Sequence, residues 1–208
     1  MQVLIERDAE NFLEKEGFPV AKRFIASNIK EALESAKKLK YPLTMKVISK
    51  QILHKSDFGG VKLDIRNEEE VKKHFQELSK LKGFEGVLMQ KFREGRFILI
   101  GLKEDPTFGH AIAFGTGGIY TEVLKDVSFR VCPINDEDAE EMIQETKAYE
   151  LLKGARGSKP ADLNKIKKLL IKFSKLPIKY PKLKELDVNP LLVTDSSEEI
   201  IDARIIFS

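Results

Sequence analysis

An apolar, β-prone run and an alternating run flank a glycine-containing loop in the first third of the chain. Residues 43–48 (LTMKVI) are rich in β-formers, and residues 61–65 (VKLDI) alternate apolar and polar positions. The pattern therefore predicts a strand, a loop and a second strand. Lys46 falls inside the first strand, where a charge is costly to bury unless a counter-charge meets it.

Helical spacing recurs between the predicted strands. Asn28 with Glu31, and Asn67 with Glu70, have the spacing of helix-capping boxes, and apolar residues follow each pair at helical intervals. Ser158 is the expected cap of a long lysine-rich helix that ends near residue 176. The helices predicted in this way cover residues 6–16, 28–39, 67–78, 136–148 and 158–176.

Short apolar runs bounded by turn residues predict the remaining strands. They cover residues 20–26, 86–92, 96–102, 110–114, 119–123, 186–193 and 200–206. We expect residues 93–95 to join two of them as a hairpin, and residues 194–199 to form the tip of a second hairpin. Helices and strands mixed in this order predict an α+β fold.

Composition narrows the class of protein. The chain has 208 residues, of which 42% are apolar and 33% are charged, as in a soluble globular protein. The 36 basic and 33 acidic residues are interleaved, so the net charge of +3 does not favour nucleic-acid binding. No apolar run is long enough to predict a membrane span. One cysteine and the lack of a signal-peptide pattern predict a cytoplasmic location, and the Lys, Glu and Ile content suggests a thermophile.

The loop after Lys46 combines a nucleophile, cations and a glycine pair. It contains His54, with Lys55 beside it, and Gly59-Gly60, with Lys62 following. Adjacent glycines let backbone N–H groups approach an anion, so a phosphate would suit this loop and Lys46 together. The alternative is a plain hairpin turn with a solvated histidine.

Three oxygen-bearing side chains interrupt the last two predicted strands. Asp187 and Asn189 are two residues apart, so they point to the same side of a strand, and Asp202 comes near them if the strands pair. Such oxygens suit Mg²⁺, which keeps its other positions for water and phosphate. The alternative is a turn at Asn189-Pro190 with Asp202 on a wet face. A second glycine run, residues 115–118 (GTGG), could form another anion-binding nest.

Five motifs in order carry a resemblance to a known family. They are residues 52–62 (ILHKSDFGGVK), 114–119 (FGTGGI), 122–130 (EVLKDVSFR), 153–157 (KGARG) and 187–191 (DVNPL). Together they resemble the ATP-grasp β subunit of archaeal ADP-forming acetate–CoA ligase (acyl-CoA synthetase), a relative of the succinyl-CoA synthetase β subunit. The resemblance covers nearly the whole chain. It implies an ATP-grasp fold with two α+β subdomains that hold a nucleotide between them.

The resemblance also implies a reaction and a partner. The reaction is acyl-CoA + ADP + phosphate ⇌ acid + CoA + ATP. A CoA-binding α subunit, in an α2β2 assembly, makes the acyl phosphate and a first phosphohistidine. The β subunit then accepts the phosphoryl group on a loop histidine and passes it to ADP.

Each implied role falls on a residue of this sequence. His54 matches the phosphoryl carrier, and Asp187 matches the acid that orients it. The remaining matches are nucleotide-binding residues (Lys46, Gly59, Gly60, Lys62, Gln90) and Mg²⁺ ligands (Asn189, Asp202). We expect subdomain A at about residues 20–84 and subdomain B at about 85–208, with helix 6–16 packing on either.

One departure from the family pattern leaves a second function open. The family usually has Gly-Arg-Glu before the strand at residues 96–102, whereas Phe97 follows Arg96 here. Loss of that carboxylate favours a non-catalytic nucleotide-binding module that regulates or assembles with a partner. A stand-alone carboxylate ligase is a weaker alternative, because it needs no phosphohistidine.

Overall fold

The computed structural model describes residues 1–49, 51–52, 55, 58–118, 126–154 and 159–208. In chain order its elements are β1 (Gln2–Ile5), α1 (Arg7–Lys15), β2 (Arg23–Ala26), α2 (Ile29–Leu39), β3 (Leu43–Ser49), β4 (Val61–Ile65), α3 (Glu68–Leu78), β5 (Phe84–Lys91), β6 (Arg96–Asp105), β7 (Gly109–Thr116), β8 (Val127–Val131), α4 (Asp136–Gln144), α5 (Ala148–Leu152), α6 (Leu163–Ser174), α7 (Leu176–Lys179), β9 (Leu183–Val193), β10 (Glu198–Ile200) and β11 (Ala203–Phe207). They form two compact units, Met1–Val20 with Gly95–Ser208, and Ala21–Glu94. We call them unit 1 and unit 2.

Unit 2 is an antiparallel sheet with helices on one face. Its strand order is β2-β5-β3-β4, so β3 and β5 are the inner strands. Met45 and Met89 lie in one apolar core with residues of α2 and α3, such as Ala36 and Phe75. Side chains alternate along a strand, so the neighbours of Met45 and Met89 project from the opposite face.

Unit 1 has a larger antiparallel sheet in the order β1-β11-β9-β6-β7-β8, with β10 also pairing with β9. Its core joins inward-facing strand residues, such as Ile100 and Val188, to Leu13 of α1, Met142 of α4 and Phe173 of α6. The predicted N-terminal helix thus belongs to unit 1. The residues between the inward-facing positions of β9 project from the other face of the sheet.

The two predicted helix caps are present, with one difference from a capping box. Asn28 Oδ1 accepts a bond from Glu31 N (3.0 Å), and Asn67 Oδ1 accepts one from Glu70 N (2.9 Å). In a capping box the glutamate would accept from the backbone N–H of the cap residue itself. Here Glu31 accepts from Ser27 N and Glu70 accepts from Arg66 N, each one residue before the cap. Each side-chain pair still satisfies two backbone donors near its helix start.

The predicted hairpin between residues 86–92 and 96–102 is wrong. Both strands exist, as β5 and β6, but β5 lies between β2 and β3 in unit 2, whereas β6 lies between β9 and β7 in unit 1. Alternation indicates that a strand is present and does not select its partner. Because β5 belongs to the unit 2 sheet, the units divide after Glu94 and not near residue 84 as we expected.

The helical predictions in the second half also need correction. The predicted helix at 136–148 is divided into α4 and α5. The lysine-rich helix begins at Leu163. Its cap is Asp162, whose Oδ1 accepts hydrogen bonds from the backbone N–H groups of Asn164 and Lys165. Ser158, the cap we predicted, and the strand at 119–123 lie outside the described residues. In the described part of the chain, no helix has the length and apolar character to cross a membrane.

Candidate functional site

Lys46 and Gln90 share one face of the unit 2 sheet. Strand pairing places Lys46 opposite Leu88 and Thr44 opposite Gln90, and directly paired residues of an antiparallel ladder project to the same side. That side is opposite the helices, because Met45 and Met89 face the core. Lys46 is only 6% exposed and Gln90 only 2% exposed. The sheet therefore holds a buried ammonium and a buried amide on one face, and the nucleotide-binding role predicted for both residues stays a prediction.

Lys62 is on the opposite face. It pairs across the ladder with Met45, and its Nζ lies 2.9 Å from Oε2 of Glu77 on α3. His74 Nδ1 contacts the same oxygen at 3.1 Å, and the bonds from Lys62 and His74 lower the pKa of Glu77 to about 2. The structure does not bring Lys62 to the face of Lys46, so its nucleotide-binding role stays a prediction with less support.

Gly59 and Gly60 form a tight turn into β4. Gly60 N donates to Lys55 O (2.8 Å), and Gly60 O accepts from Val47 N (2.8 Å). A side chain at position 60 is excluded because its Cβ would lie 2.8 Å from Val47 Cγ1. Position 59 favours glycine because its φ is +65°, in the left-handed region. The Gly60 N–H is thus used inside the protein. His54 lies outside the described residues.

Asp187, Asn189 and Asp202 lie where β9 pairs with β10 and β11. Val193 lies opposite Glu198 and Val188 lies opposite Ala203, so both ladders have the same offset, and between them Ile201 N donates to Pro190 O. Continuing that offset across the gap between the ladders places Asp202 across from Asn189, with Asp187 two residues along β9. The register agrees with the prediction that strand pairing brings these three side chains near one another, and their role as a site stays a prediction.

A bulge in β9 contains Asn189 and Pro190. Ile98 of β6 pairs with Leu191, whereas Ile100 pairs with Val188, so two residues of β9 lie opposite one residue of β6. Pro190 has no N–H to give to the ladder, which fits a bulge. Asn189 Oδ1 then accepts a hydrogen bond from Gly118 N at 2.7 Å.

The second glycine run is not an anion nest at residues 116–118. Thr116 N donates to Asp126 O (3.3 Å), Gly117 N donates to Phe97 O (2.8 Å), and Gly118 N donates to Asn189. These three N–H groups are therefore already bonded within the protein. The nest prediction is wrong for them, because loop composition cannot show where backbone donors point.

Burial and neighbouring charges shift the pKa of Asp187. Burial raises the pKa of its carboxyl group, Arg204 across the ladder acts to lower it, and Glu185 and Asp202 act to raise it. Asp187 thus lies near a second carboxylate, an arrangement that a divalent cation would stabilise. Among the described residues no group of three or more His, Cys, Asp or Glu could hold a metal. Two carboxylates and one amide oxygen still fit Mg²⁺, which binds few protein oxygens.

Phe97 lies beside this cluster, at the start of β6. It is 41% exposed, and its Cδ2 would be 3.1 Å from a Cβ on Gly118. An aromatic ring therefore packs on the glycine turn where the family pattern predicts a carboxylate. The sequence revealed the substitution but gave no sign of the contact with Gly118.

Comparison with known proteins identifies the fold. The sequence pattern of the ATP-grasp domain matches residues 1–207. The chain therefore belongs to the ATP-grasp family. It is 41% identical to subunit beta of the ADP-forming acetate–CoA ligase I of Pyrococcus furiosus, covering 98% of this chain and 91% of that one. Within the family it groups with these ADP-forming ligase subunits.

A longer relative and a solved structure extend the comparison. The chain is 45% identical to the ADP-forming acetate–CoA ligase I of Archaeoglobus fulgidus, covering 93% of this chain but only 29% of that protein. Acetyl-coenzyme A synthetase 1 of Ca. Korarchaeum cryptofilum has a TM-score of 0.92 and 39% identity, covering all of this chain and 94% of its own. Another structure of that enzyme contains Mg-AMPPCP and a phosphohistidine segment that points towards the nucleotide site.

Proposed function

We propose that this chain is the nucleotide-binding β subunit of an ADP-forming acyl-CoA synthetase. In the proposed reaction it takes a phosphoryl group on His54 and transfers it to ADP, completing acyl-CoA + ADP + phosphate ⇌ acid + CoA + ATP. The observation that carries the proposal is the strand register that brings Asp202 across from Asn189 and near Asp187. The family assignment and the related phosphohistidine enzyme support it.

Each side chain has a role that suits its position. The buried ammonium of Lys46 binds nucleotide phosphate, and Gln90 supplies a neighbouring polar contact. Asn189 and Asp202 would hold Mg²⁺, which neutralises charge on the phosphates when it is bound. Gly59 gives the loop its turn, and Gly60 packs it against β3.

The transfer step breaks the N–P bond of phosphohistidine and forms an O–P bond to the terminal phosphate oxygen of ADP. The electron pair of the broken bond returns to the imidazole nitrogen of His54, which becomes neutral. Asp187 accepts a hydrogen bond from the other ring nitrogen and so orients the ring. Neutral imidazole is nucleophilic near pH 7, which allows the step to run in both directions.

We further propose that turnover requires a CoA-binding α subunit in an α2β2 assembly. The P. furiosus relative is itself described as a subunit, and the A. fulgidus relative joins the matching segment to a much longer chain. The purified chain alone should make no ATP from acyl-CoA, ADP and phosphate, and addition of the α subunit should restore ATP formation.

Phe97 favours the second candidate, a non-catalytic nucleotide-binding module. Its ring occupies the position of a family carboxylate next to Gly118, and this change could remove catalysis and leave nucleotide binding intact. The two candidates differ in whether the chain becomes phosphorylated, so a labelling experiment separates them.

The experiment uses Mg-ATP labelled on its terminal phosphate. The wild-type chain, with its partner present, should gain acid-labile, base-stable label, as expected for phosphohistidine. His54→Ala and His54→Asn should abolish the label and leave nucleotide affinity nearly unchanged. His74→Asn is the matched control and should keep the label, because His74 bonds to Glu77 on the helix face. An unlabelled wild type would support the binding-module candidate.

A further inference from the structure

A single hydrogen bond determines the orientation of the Asn189 amide. Gly118 N donates to Asn189 Oδ1 at 2.7 Å. Only the oxygen of an amide side chain can accept from an N–H, so Oδ1 and not Nδ2 must face the glycine turn. This bond uses one lone pair of Oδ1 and leaves the second for the cation that the proposed function assigns to Asn189 and Asp202.

The glycine turn is itself held in place by its neighbours. Gly117 N donates to Phe97 O at 2.8 Å, and a Cβ on Gly117 would lie 2.6 Å from the carbonyl carbon of Ile98. Thr116 Oγ1 donates to Asp126 Oδ2 at 2.8 Å, and the Asp126 carboxylate also accepts from the backbone N–H groups at the start of α5. The turn is therefore anchored to β6 and to α5, and its position is not adjustable without breaking these bonds.

We infer that the Gly117–Gly118 turn is a positioning element for Asn189, and that the Gly118 N–H aims the free lone pair of Oδ1 at Mg²⁺. The inference rests on the proposed function and adds a residue that touches neither metal nor nucleotide. Groups that orient a metal ligand typically change metal affinity by about 10- to 100-fold when they are lost. Residue 118 should thus control the metal-dependent part of nucleotide affinity and leave the metal-independent part unchanged.

Gly118→Ala tests the inference, and Gly109→Ala is its matched control. The two glycines have nearly equal φ angles, +79° and +81°, so an alanine is similarly strained at both. A Cβ at 118 would be 3.1 Å from Phe97 Cδ2, so the turn or the ring must shift, whereas a Cβ at 109 has nothing within 4 Å. The difference between the two variants therefore reports the change at the turn and its Phe97 contact and not backbone strain.

The measurement is ADP affinity by calorimetry, with Mg²⁺ and with EDTA. We expect Gly118→Ala to reduce the affinity gained from Mg²⁺ by about 10-fold or more, and Gly109→Ala to keep the wild-type gain. Equal gains in both variants would overturn the inference and leave the proposed function standing. If the wild type gains nothing from Mg²⁺, the inference and the proposed metal site both fall.

A second measurement needs no nucleotide or metal. Exchange of the Gly118 amide proton, followed by NMR in the apo protein, should accelerate in Asn189→Ala, which removes the acceptor. Asn189→Asp keeps an acceptor oxygen and should retain protection. Equal exchange rates in wild type and Asn189→Ala would show that the bond does not hold the turn, and would overturn the inference even if Gly118→Ala failed to fold.

Discussion

Replacing Lys46 by methionine tests the nucleotide face of unit 2. Methionine keeps the length and much of the volume of the side chain in β3 and removes the ammonium. A hydrogen bond to a charged group contributes about 1.5–3 kcal/mol, so the dissociation constant for ADP should rise by about 10- to 150-fold. Lys62→Met is the control, because Lys62 contacts Glu77 on the opposite face of the sheet.

The expected change is large enough for a thermal-shift assay. A ligand at a hundred times its dissociation constant stabilises the folded state by about 2.7 kcal/mol, and a 100-fold rise at the same concentration leaves about 0.4 kcal/mol. For a chain of this length each kcal/mol shifts Tm by about 2–4 °C. Nucleotide should thus raise the wild-type Tm by about 5–11 °C and the Lys46→Met Tm by about 1–2 °C.

Two results would refute this reasoning. Unchanged affinity in Lys46→Met would show that its ammonium does not bind phosphate. A loss of affinity in Lys62→Met as large as that in Lys46→Met would show that the two faces are wrongly assigned, and would restore the nucleotide-binding role first predicted for Lys62. Calorimetry on both variants distinguishes these results from a general loss of folding.

Three further outcomes follow from particular contacts. Asp202→Ala should remove most of the thermal stabilisation that Mg²⁺ adds to nucleotide, and an unchanged Mg²⁺ effect would exclude it as a ligand. The pKa of Glu77 is lowered to about 2, so its contribution to stability is present above pH 4.5 and lost as pH falls towards 2; Glu77→Gln should flatten stability across that range in acid denaturation curves. Asn135 has a complete capping box at the start of α4, so Asn135→Ala should lower the free energy of unfolding by about 1 kcal/mol in urea titrations, and no change would mean that the cap is dispensable.

The sequence predicted those features that depend on local periodicity. Strands β3 and β4 and the caps at Asn28 and Asn67 follow from two-residue or three-residue spacing. Each of these features involves neighbours along the chain, so no knowledge of distant partners was needed. The family resemblance supplied the fold, which the ATP-grasp match and the solved structures confirm.

The sequence could not predict features set by long-range pairing. The predicted pairing of β5 with β6 was wrong because the alternating pattern of a strand does not depend on which strand lies beside it. The face of Lys62 depends on its pairing with Met45, which is a register and not a pattern. The bulge at Asn189-Pro190 and its bond to Gly118 join residues more than 70 positions apart. The proline within an apolar run was the one local signal of that bulge.

The order of the units along the chain has a consequence for synthesis. Unit 2 is an insertion in unit 1, and its two ends lie on neighbouring strands, with Arg23 of β2 opposite Gln90 of β5. All strands of its sheet have been synthesised once β5 is made, so unit 2 can close while later residues of unit 1 are still being added. Strand β1 must instead wait for β11, because Val3 pairs with Ile206, which is made long after unit 2. Strand β1 is therefore among the last strands of this domain to find its partner, and unit 1 completes its sheet only after unit 2 has been made.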